Sequence, residues 1–207
     1  MTHTTSSDLH AIVLAAGAST RFGSAKQLVR IDGRPILHSV VANAVDVAGH
    51  STTVVLGSSA AELSGLLRHS PASVIVNRDW AEGLGSSIRC AVKHLPGSCD
   101  GVLIVLADQV AVTREDLMRL AGAWRRNPEA LIAASYAMGV GVPAIFPRWC
   151  FAALGELHGD HGARVLLHRH QDRLQRVPMS NAAVDIDTPE DLLAVVAKRR
   201  RFEAPPG

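Results

Sequence analysis

Aromatic residues, cysteines and net charge are all scarce in this chain, and each shortage narrows what it can be. Phe, Tyr and Trp make up 4% of the 207 residues, so the core must come from Ala, Val, Leu and Ile. That palette suits short strands buried on both faces by helices. Only three cysteines occur, Cys90, Cys99 and Cys150, and none lies at metal-ligand spacing from another. Reduced thiols in a cytoplasmic protein are expected. The formal net charge is +2, from 21 basic and 19 acidic side chains. That balance gives no general pull toward nucleic acid or an anionic membrane surface. Apolar runs stop at about eight residues, far short of the ~20 that span a bilayer. The polar start, residues 1–10, lacks the apolar segment of a signal peptide.

What the chain has instead is an alternation of strand-like and helix-like segments. Apolar β-type runs fall at residues 11–14, 52–56, 73–76, 101–106 and 130–134. Helix-like stretches lie near 35–47, 60–67, 86–94 and 114–124. Such alternation points to βαβ units and a parallel sheet. The second half is less regular. Residues 139–143 read as a turn entering a short strand at 144–146. Helices are then expected near 148–157 and up to 170. Thr188 is placed to cap a final helix, with Pro189 in its first turn. One domain over residues 1–207 is expected, with 1–9 and 202–207 flexible at its ends.

Three loops follow the predicted strands, at 15–26, 77–87 and 107–112. In an open α/β sheet, ligands sit outside the carboxyl ends of the strands. The first loop runs Leu14-Ala15-Ala16-Gly17-Ala18-Ser19-Thr20-Arg21-Phe22-Gly23-Ser24-Ala25-Lys26-Gln27-Leu28. Its small residues let backbone N–H groups face an anion, and Arg21 and Lys26 add positive charge. It matches neither the P-loop nor the Gly-x-Gly-x-x-Gly dinucleotide pattern. In the third loop, Asp108 directly follows a buried strand, where a carboxylate suits Mg²⁺. Asp185 and Asp187 share one face if extended, just before a helix start, which also fits plain dipole compensation. In the second loop, Asn77 and Trp80 offer an amide and a stacking face. Gly83, Ser86 and Ser87 open a helix with free N–H groups. His158, His161, His168 and His170 read as a solvated helix face rather than a zinc site.

Taken together, these segments resemble the molybdenum cofactor cytidylyltransferase family. The resemblance rests on Leu-Ala-Ala-Gly-x-Ser-x-Arg-Phe-Gly-x-x-Lys-Gln-Leu at 14–28 and on Asn77-x-x-Trp80-x-x-Gly83-x-x-Ser86-Ser87. Ala107-Asp108-Gln109, Gly159-Asp160-x-Gly162-Ala163-Arg164 and Asp185-Ile186-Asp187-Thr188-Pro189 extend it to nearly the whole chain. It implies an α/β fold: a Rossmann-like three-layer sandwich with a mostly parallel central sheet, of the nucleotide-diphospho-sugar-transferase type. It implies Mg²⁺-dependent transfer of CMP from CTP, or of the matching group from another NTP, to the terminal phosphate of molybdopterin. Pyrophosphate would be released.

By the matched positions, Leu14, Ala15, Ala16, Gly17, Ser19, Arg21 and Lys26 would bind the nucleotide. Arg21, Lys26 and Asp108 would be catalytic. Asp108 and Asp187 would hold the metal, with Asp185 as an alternate. Asn77, Trp80, Gly83, Ser86 and Ser87 would face the acceptor. Where the family frequently reads Arg-Gly-His-Pro, this chain has Val140-Gly141-Val142-Pro143, and Asp-Gln-Pro reads Asp108-Gln109-Val110. The first change leaves the acceptor open. A different phosphorylated acceptor, or a non-catalytic cofactor chaperone serving a client molybdenum hydroxylase, are the alternatives.

Overall fold

The computed structural model describes residues 8–19, 22, 25–137, 139–186, 188 and 190–194. In chain order the elements are β1 (Leu9–Ala15), β2 (Arg30–Ile31), β3 (Arg34–Pro35), α1 (Ile36–Ala48), β4 (Thr52–Leu56), α2 (Ala60–Leu66) and β5 (Ser73–Val76). There follow α3 (Leu84–Val92), β6 (Gly101–Leu106), α4 (Arg114–Arg126), β7 (Leu131–Tyr136), β8 (Gly139–Pro147), α5 (Phe151–Leu154), α6 (Arg164–Arg169) and β9 (Leu174–Pro178).

Seven strands form one sheet in the order β5-β4-β1-β6-β8-β7-β9. All its pairings are parallel except those of β8 with β6 and β7. Every residue of β1 is buried, because β4 and β6 flank it and helices cover both faces. Successive side chains of a strand point to opposite faces. Ala11, Val13 and Ala15 therefore join a core with Leu37, Val40 and Ala44 of α1, Leu63 of α2 and Leu117, Leu120 and Trp124 of α4. Ile12 and Leu14 join a second core with Ile88 and Ala91 of α3, Leu154 of α5 and Leu166 and Leu167 of α6. These are the three layers. Burying one such leucine contributes about 1.5–3 kcal/mol. α1 repeats its buried residues at helical spacing, Leu37, Val40, Val41, Ala44. α4 starts on a capping box in which Thr113 and Asp116 satisfy each other's backbone.

The connections set the position of the site. From β1 the chain steps to β4 and β5 on one side, then crosses through α3 to β6 on the other. The switch point is between the carboxyl ends of β1 and β6, where an open sheet splits into a crevice.

Several expectations change. Residues 139–147 are one continuous strand, not a turn and a short strand. Partners shift from Ala133↔Ala144 to Ala134↔Gly141, so Val142 and Pro143 bulge out of the ladder. The bulge accommodates the proline, whose missing N–H would otherwise break the pairing. Helix formation after β8 is shorter than expected, a 3-10 turn at Arg148–Cys150 and the four residues of α5. β9 and the β2–β3 hairpin add to the expected elements. The hairpin turn holds Asp32 at φ 52 and Gly33 at φ 77, the left-handed pair that an Asp-Gly dipeptide supplies. Asp8 and Leu9 belong to the ordered fold, not to a flexible end. The Asp8 N–H donates to Asp100 Oδ2 at 3.0 Å, and Leu9 is buried at the head of β1. Thr188 caps the final helical turn, its hydroxyl accepting from the Asp191 N–H at 3.2 Å. Pro189 lies outside the described residues. Among the described residues, no helix is long and apolar enough to cross a membrane.

Candidate functional site

A cavity of about 410 Å³ opens at the switch point, and all three post-strand loops line it. Leu14 through Ser19, Lys26 and Gln27 form one wall. Trp80, Ala81, Gly83, Leu84 and Ser87 form another. Leu106, Ala107 and Asp108 form its floor at the end of β6, and Asp160 closes a corner.

The first loop is braced from behind. Gln27 is buried; its carbonyl accepts from Ser19 Oγ at 3.2 Å, and its amide reaches the Gly17 carbonyl at 3.5 Å. Ser58, just past β4, donates from Oγ to the same carbonyl at 3.2 Å and from its N–H to the Ala16 carbonyl at 3.2 Å. Carbonyls are thereby consumed on the protein side of the loop. A Cβ on Gly57 would collide with the Ala16 carbonyl oxygen and stand 2.7 Å from Trp80 Cβ. This glycine thus lets the two walls meet.

Lys26 and Asp108 form the polar centre. Lys26 Nζ donates to Asp108 Oδ2 at 2.8 Å and to the Ile186 carbonyl at 2.8 Å. The Ile186 N–H returns to the Asp108 carbonyl at 3.3 Å. The ammonium therefore ties the first loop, β6 and the 185–186 segment together. Asp108 Oδ1 is buried without a hydrogen-bond partner among the described residues. An orphaned carboxylate oxygen beside an anion-binding loop is a fitting donor for a hard divalent cation. Asp185 is exposed next to Ile186, while Arg21 and Asp187 lie outside the described residues. Among the described residues, no group of three or more His, Cys, Asp or Glu side chains is placed to hold a metal ion together.

The second loop divides into wall and scaffold. Trp80, Gly83 and Ser87 line the cavity. Asn77 and Ser86 sit behind it, each 3% exposed. The Asn77 amide donates to Ser86 Oγ at 2.8 Å and Ser87 Oγ at 3.1 Å, and Ser86 Oγ donates to the carbonyls of Asp79 and Gly83. These side chains shape the loop rather than present it to a ligand.

Residues to which the sequence alone assigns no role complete the arrangement. Glu82 and Arg89 pair bidentately at 2.6 and 2.7 Å. Arg89 also donates to the Leu157 carbonyl, and His158 Nδ1 lies 3.2 Å from Glu82. The Arg89 guanidinium holds the Glu82 carboxyl down at about 2. Gln109 anchors the β8 bulge, donating to the Val142 and Ala182 carbonyls at 2.9 Å each. An acidic residue seven positions before an arginine, across a loop–helix junction, gives no periodic signal for the Glu82 pair. Of the other histidines, His170 packs edge-on against Trp149. Burial pushes the Cys99 thiol up to about 11 and Cys150 up to about 12, which makes both poor nucleophiles.

Known proteins resemble this arrangement. Residues 11–174 match the family described as the MobA-like NTP transferase domain. The chain is 30% identical to the purine catabolism protein PucB of Bacillus subtilis, over 87% of this chain and 92% of that protein. It is 27% identical to nicotine blue oxidoreductase of Paenarthrobacter nicotinovorans, over 87% and 93%. The bifunctional protein GlmU of Sorangium cellulosum is 34% identical over 60% of this chain, but the match spans only 28% of that protein. Among solved structures, Rv0371c of Mycobacterium tuberculosis superposes with a TM-score of 0.83 at 27% identity, covering 93% of this chain and 99% of that one. A structure of Rv0371c in complex with manganese also matches, with a TM-score of 0.78 at 25% identity. The chain is a nucleotidyltransferase and belongs to the family of MobA-like NTP transferase domains.

Proposed function

We propose that this chain transfers CMP from CTP to the terminal phosphate of molybdopterin, with Mg²⁺ and with release of pyrophosphate. The observation that carries the reading is the meeting, in one cavity, of the small-residue loop, Lys26, the orphaned Asp108 oxygen and the Trp80–Ser87 wall. Ala15, Ala16, Gly17 and Ser19 supply the backbone against which the triphosphate lies. Lys26, with Arg21, neutralises the phosphates. Asp108, with Asp187 or Asp185, holds the cation, which when bound draws charge from the α-phosphate as it is attacked. Trp80, Gly83 and Ser87 face the acceptor, and Asn77 and Ser86 fix their positions.

Transfer is direct. An oxygen of the acceptor phosphate forms a bond to the α-phosphorus, the bond from that phosphorus to the bridging oxygen of the β-phosphate breaks, and pyrophosphate leaves with the electron pair. No enzyme-bound intermediate is invoked, because no activated nucleophile lines the cavity among the described residues. Lys26 acts by positioning and by charge stabilisation, the main contributions available to phosphoryl chemistry.

The test is pyrophosphate release with molybdopterin, comparing CTP, GTP and ATP. CTP-dependent release supports the reading, and silence with all three nucleotides overturns it. A relative of nearly full length carries an oxidoreductase name. NADH consumption is therefore followed in the same assay, and its appearance without pyrophosphate release would favour redox chemistry. The missing dinucleotide glycine fingerprint in the first loop speaks for nucleotidyl transfer.

A further inference from the structure

The Asp160 carboxylate lines the cavity, is exposed, and has no ion pair or hydrogen bond among the described residues. It is nevertheless held in place. The Gly85 N–H donates to the Gly159 carbonyl at 2.9 Å, and the Gly159 N–H donates to Glu82 at 3.4 Å. Gly83, at φ +119, comes so near that a Cβ there would stand 2.6 Å from Asp160 Oδ1. Trp80 begins the 3-10 turn that ends next to Gly83, and its side chain lines the same cavity as the Asp160 carboxylate.

The chemistry of this pair is selective. A carboxylate repels phosphate, so the triphosphate belongs to the opposite wall, with the first loop and Lys26. Asp160 instead accepts from hydrogen-bond donors, and its two oxygens match two adjacent N–H groups. Cytosine and adenine present one donor beside one acceptor on that edge, and uracil presents one N–H between two carbonyls. A 2-amino-4-oxopyrimidine presents a ring N–H next to an amino group. Its flat bicyclic ring also suits stacking on an indole.

We propose that Trp80 and Asp160 read the 2-amino-4-oxopyrimidine edge of a pterin, Asp160 accepting from the ring N–H and the 2-amino group together. This rests on the acceptor being molybdopterin. It adds the residue that identifies the ring, where the reaction itself needs only the phosphate. Guanine carries the same edge, so a GTP base is the rival source of this chemistry.

The experiment titrates the full chain with fluorescent pterin and with lumazine, which has an oxygen in place of the 2-amino group, both in the presence of CTP. Pterin is expected to bind about tenfold or more tightly than lumazine, whose oxygen would face the carboxylate unpaired. Asp160→Asn brings the two to within about twofold, and Trp80→Leu weakens both. Thermal melting of each variant reports retention of the fold. Equal binding of the two ligands by the unsubstituted protein overturns the proposal, as does an Asp160→Asn variant that keeps the preference. A variant that loses GTP affinity while binding pterin unchanged assigns the carboxylate to the nucleotide base and also overturns it. Failure of the proposed reaction reads differently, as pterin preference without CTP-dependent pyrophosphate release.

Discussion

Lys26 Nζ and Asp108 Oδ2 stand 2.8 Å apart although the residues are 82 positions apart in the chain. The pair joins the two sides of the switch point, and its side chains are 14% and 22% exposed. The ammonium is thereby held at the cavity floor, while the second carboxylate oxygen has no hydrogen-bond partner among the described residues. Lys26→Ala and Asp108→Ala should each lower kcat/KM by about 10²-fold or more, the usual loss when one preorganised charge is removed. Each should cost about 1–3 kcal/mol of stability from the partner left behind, with the fold retained. Steady-state pyrophosphate release and thermal melting check both. Unchanged turnover in either variant would sink the assignment.

The Glu82–Arg89 pair makes a different prediction. It fixes the Trp80–Leu84 turn to the 157–159 segment without touching the phosphate wall. Arg89→Met should therefore raise the KM for the acceptor several-fold and leave nucleotide affinity within about twofold. A matching loss for both substrates would mean that the clamp supports the whole cavity. Arg89 holds the Glu82 carboxyl down at about 2, so the pair forms fully above the ordinary carboxyl range and is lost only in strong acid. Acceptor KM should accordingly show no Glu82-linked change between about pH 5 and 8, a window set by the ordinary carboxyl pKa.

The floor of the cavity is legible in sequence because it is local. An apolar run followed by small residues, and another followed by Asp108, each declare a strand and its carboxyl end. The walls are less so. Asn77 and Ser86 have the polarity of ligand-binding residues, yet their hydrogen bonds run to each other and to the loop backbone. Residue type cannot tell a group that binds outward from one that binds inward. β8 is obscured by Gly139, Gly141 and Pro143, which signal a turn wherever no partner strand is visible. Its partner β7 directly precedes it, but its other partner β6 and the Gln109 amide that donates to the Val142 carbonyl in the bulge lie far back in the chain. The Glu82–Arg89–His158 cluster depends on a contact between segments far apart in the chain, 69 positions between Arg89 and His158, which no spacing rule reaches. The β2–β3 hairpin does carry a local signal, Asp32-Gly33, but its strands of two residues each are too short to show an alternation beside it.

His10 gives the fold a pH dependence of known sign. It is buried on β1 with Nε2 2.8 Å from Thr53 Oγ1 and with Nδ1 unpartnered among the described residues. Burial lowers its pKa below the ordinary 6.5, against a smaller opposing pull from Asp8. The unfolded chain then binds the proton more readily than the folded one. Stability contributed by neutral His10 is complete above pH 6.5 and falls as the pH drops toward the lowered value. One proton limits the slope to about 1.4 kcal/mol per pH unit. Urea unfolding at about pH 7.5, 6.5 and 5.5, values that bracket the ordinary histidine pKa, should show this fall. His10→Leu should flatten it relative to the parent chain. Parallel curves for the two proteins would remove His10 as the cause.

Two glycines that look alike in sequence should behave in opposite ways. Gly57 has no room for a side chain, since a Cβ would collide with the Ala16 carbonyl oxygen and press on Trp80 Cβ. Gly57→Ala should therefore cost about 1–3 kcal/mol, as overpacking does, and push the two cavity walls apart. Gly17 lines the cavity, and a Cβ placed on it would meet nothing within 4 Å. Its φ is not in the left-handed region, so Gly17→Ala should leave the melting temperature within about a degree or raise it slightly, through the lost entropy of the unfolded chain. If the triphosphate lies against that backbone, the added methyl occupies ligand space, and CTP affinity should fall about tenfold or more. Calorimetric titration with CTP, alongside melting curves, separates the two effects. A Gly17→Ala chain that binds CTP normally would move the triphosphate off this loop.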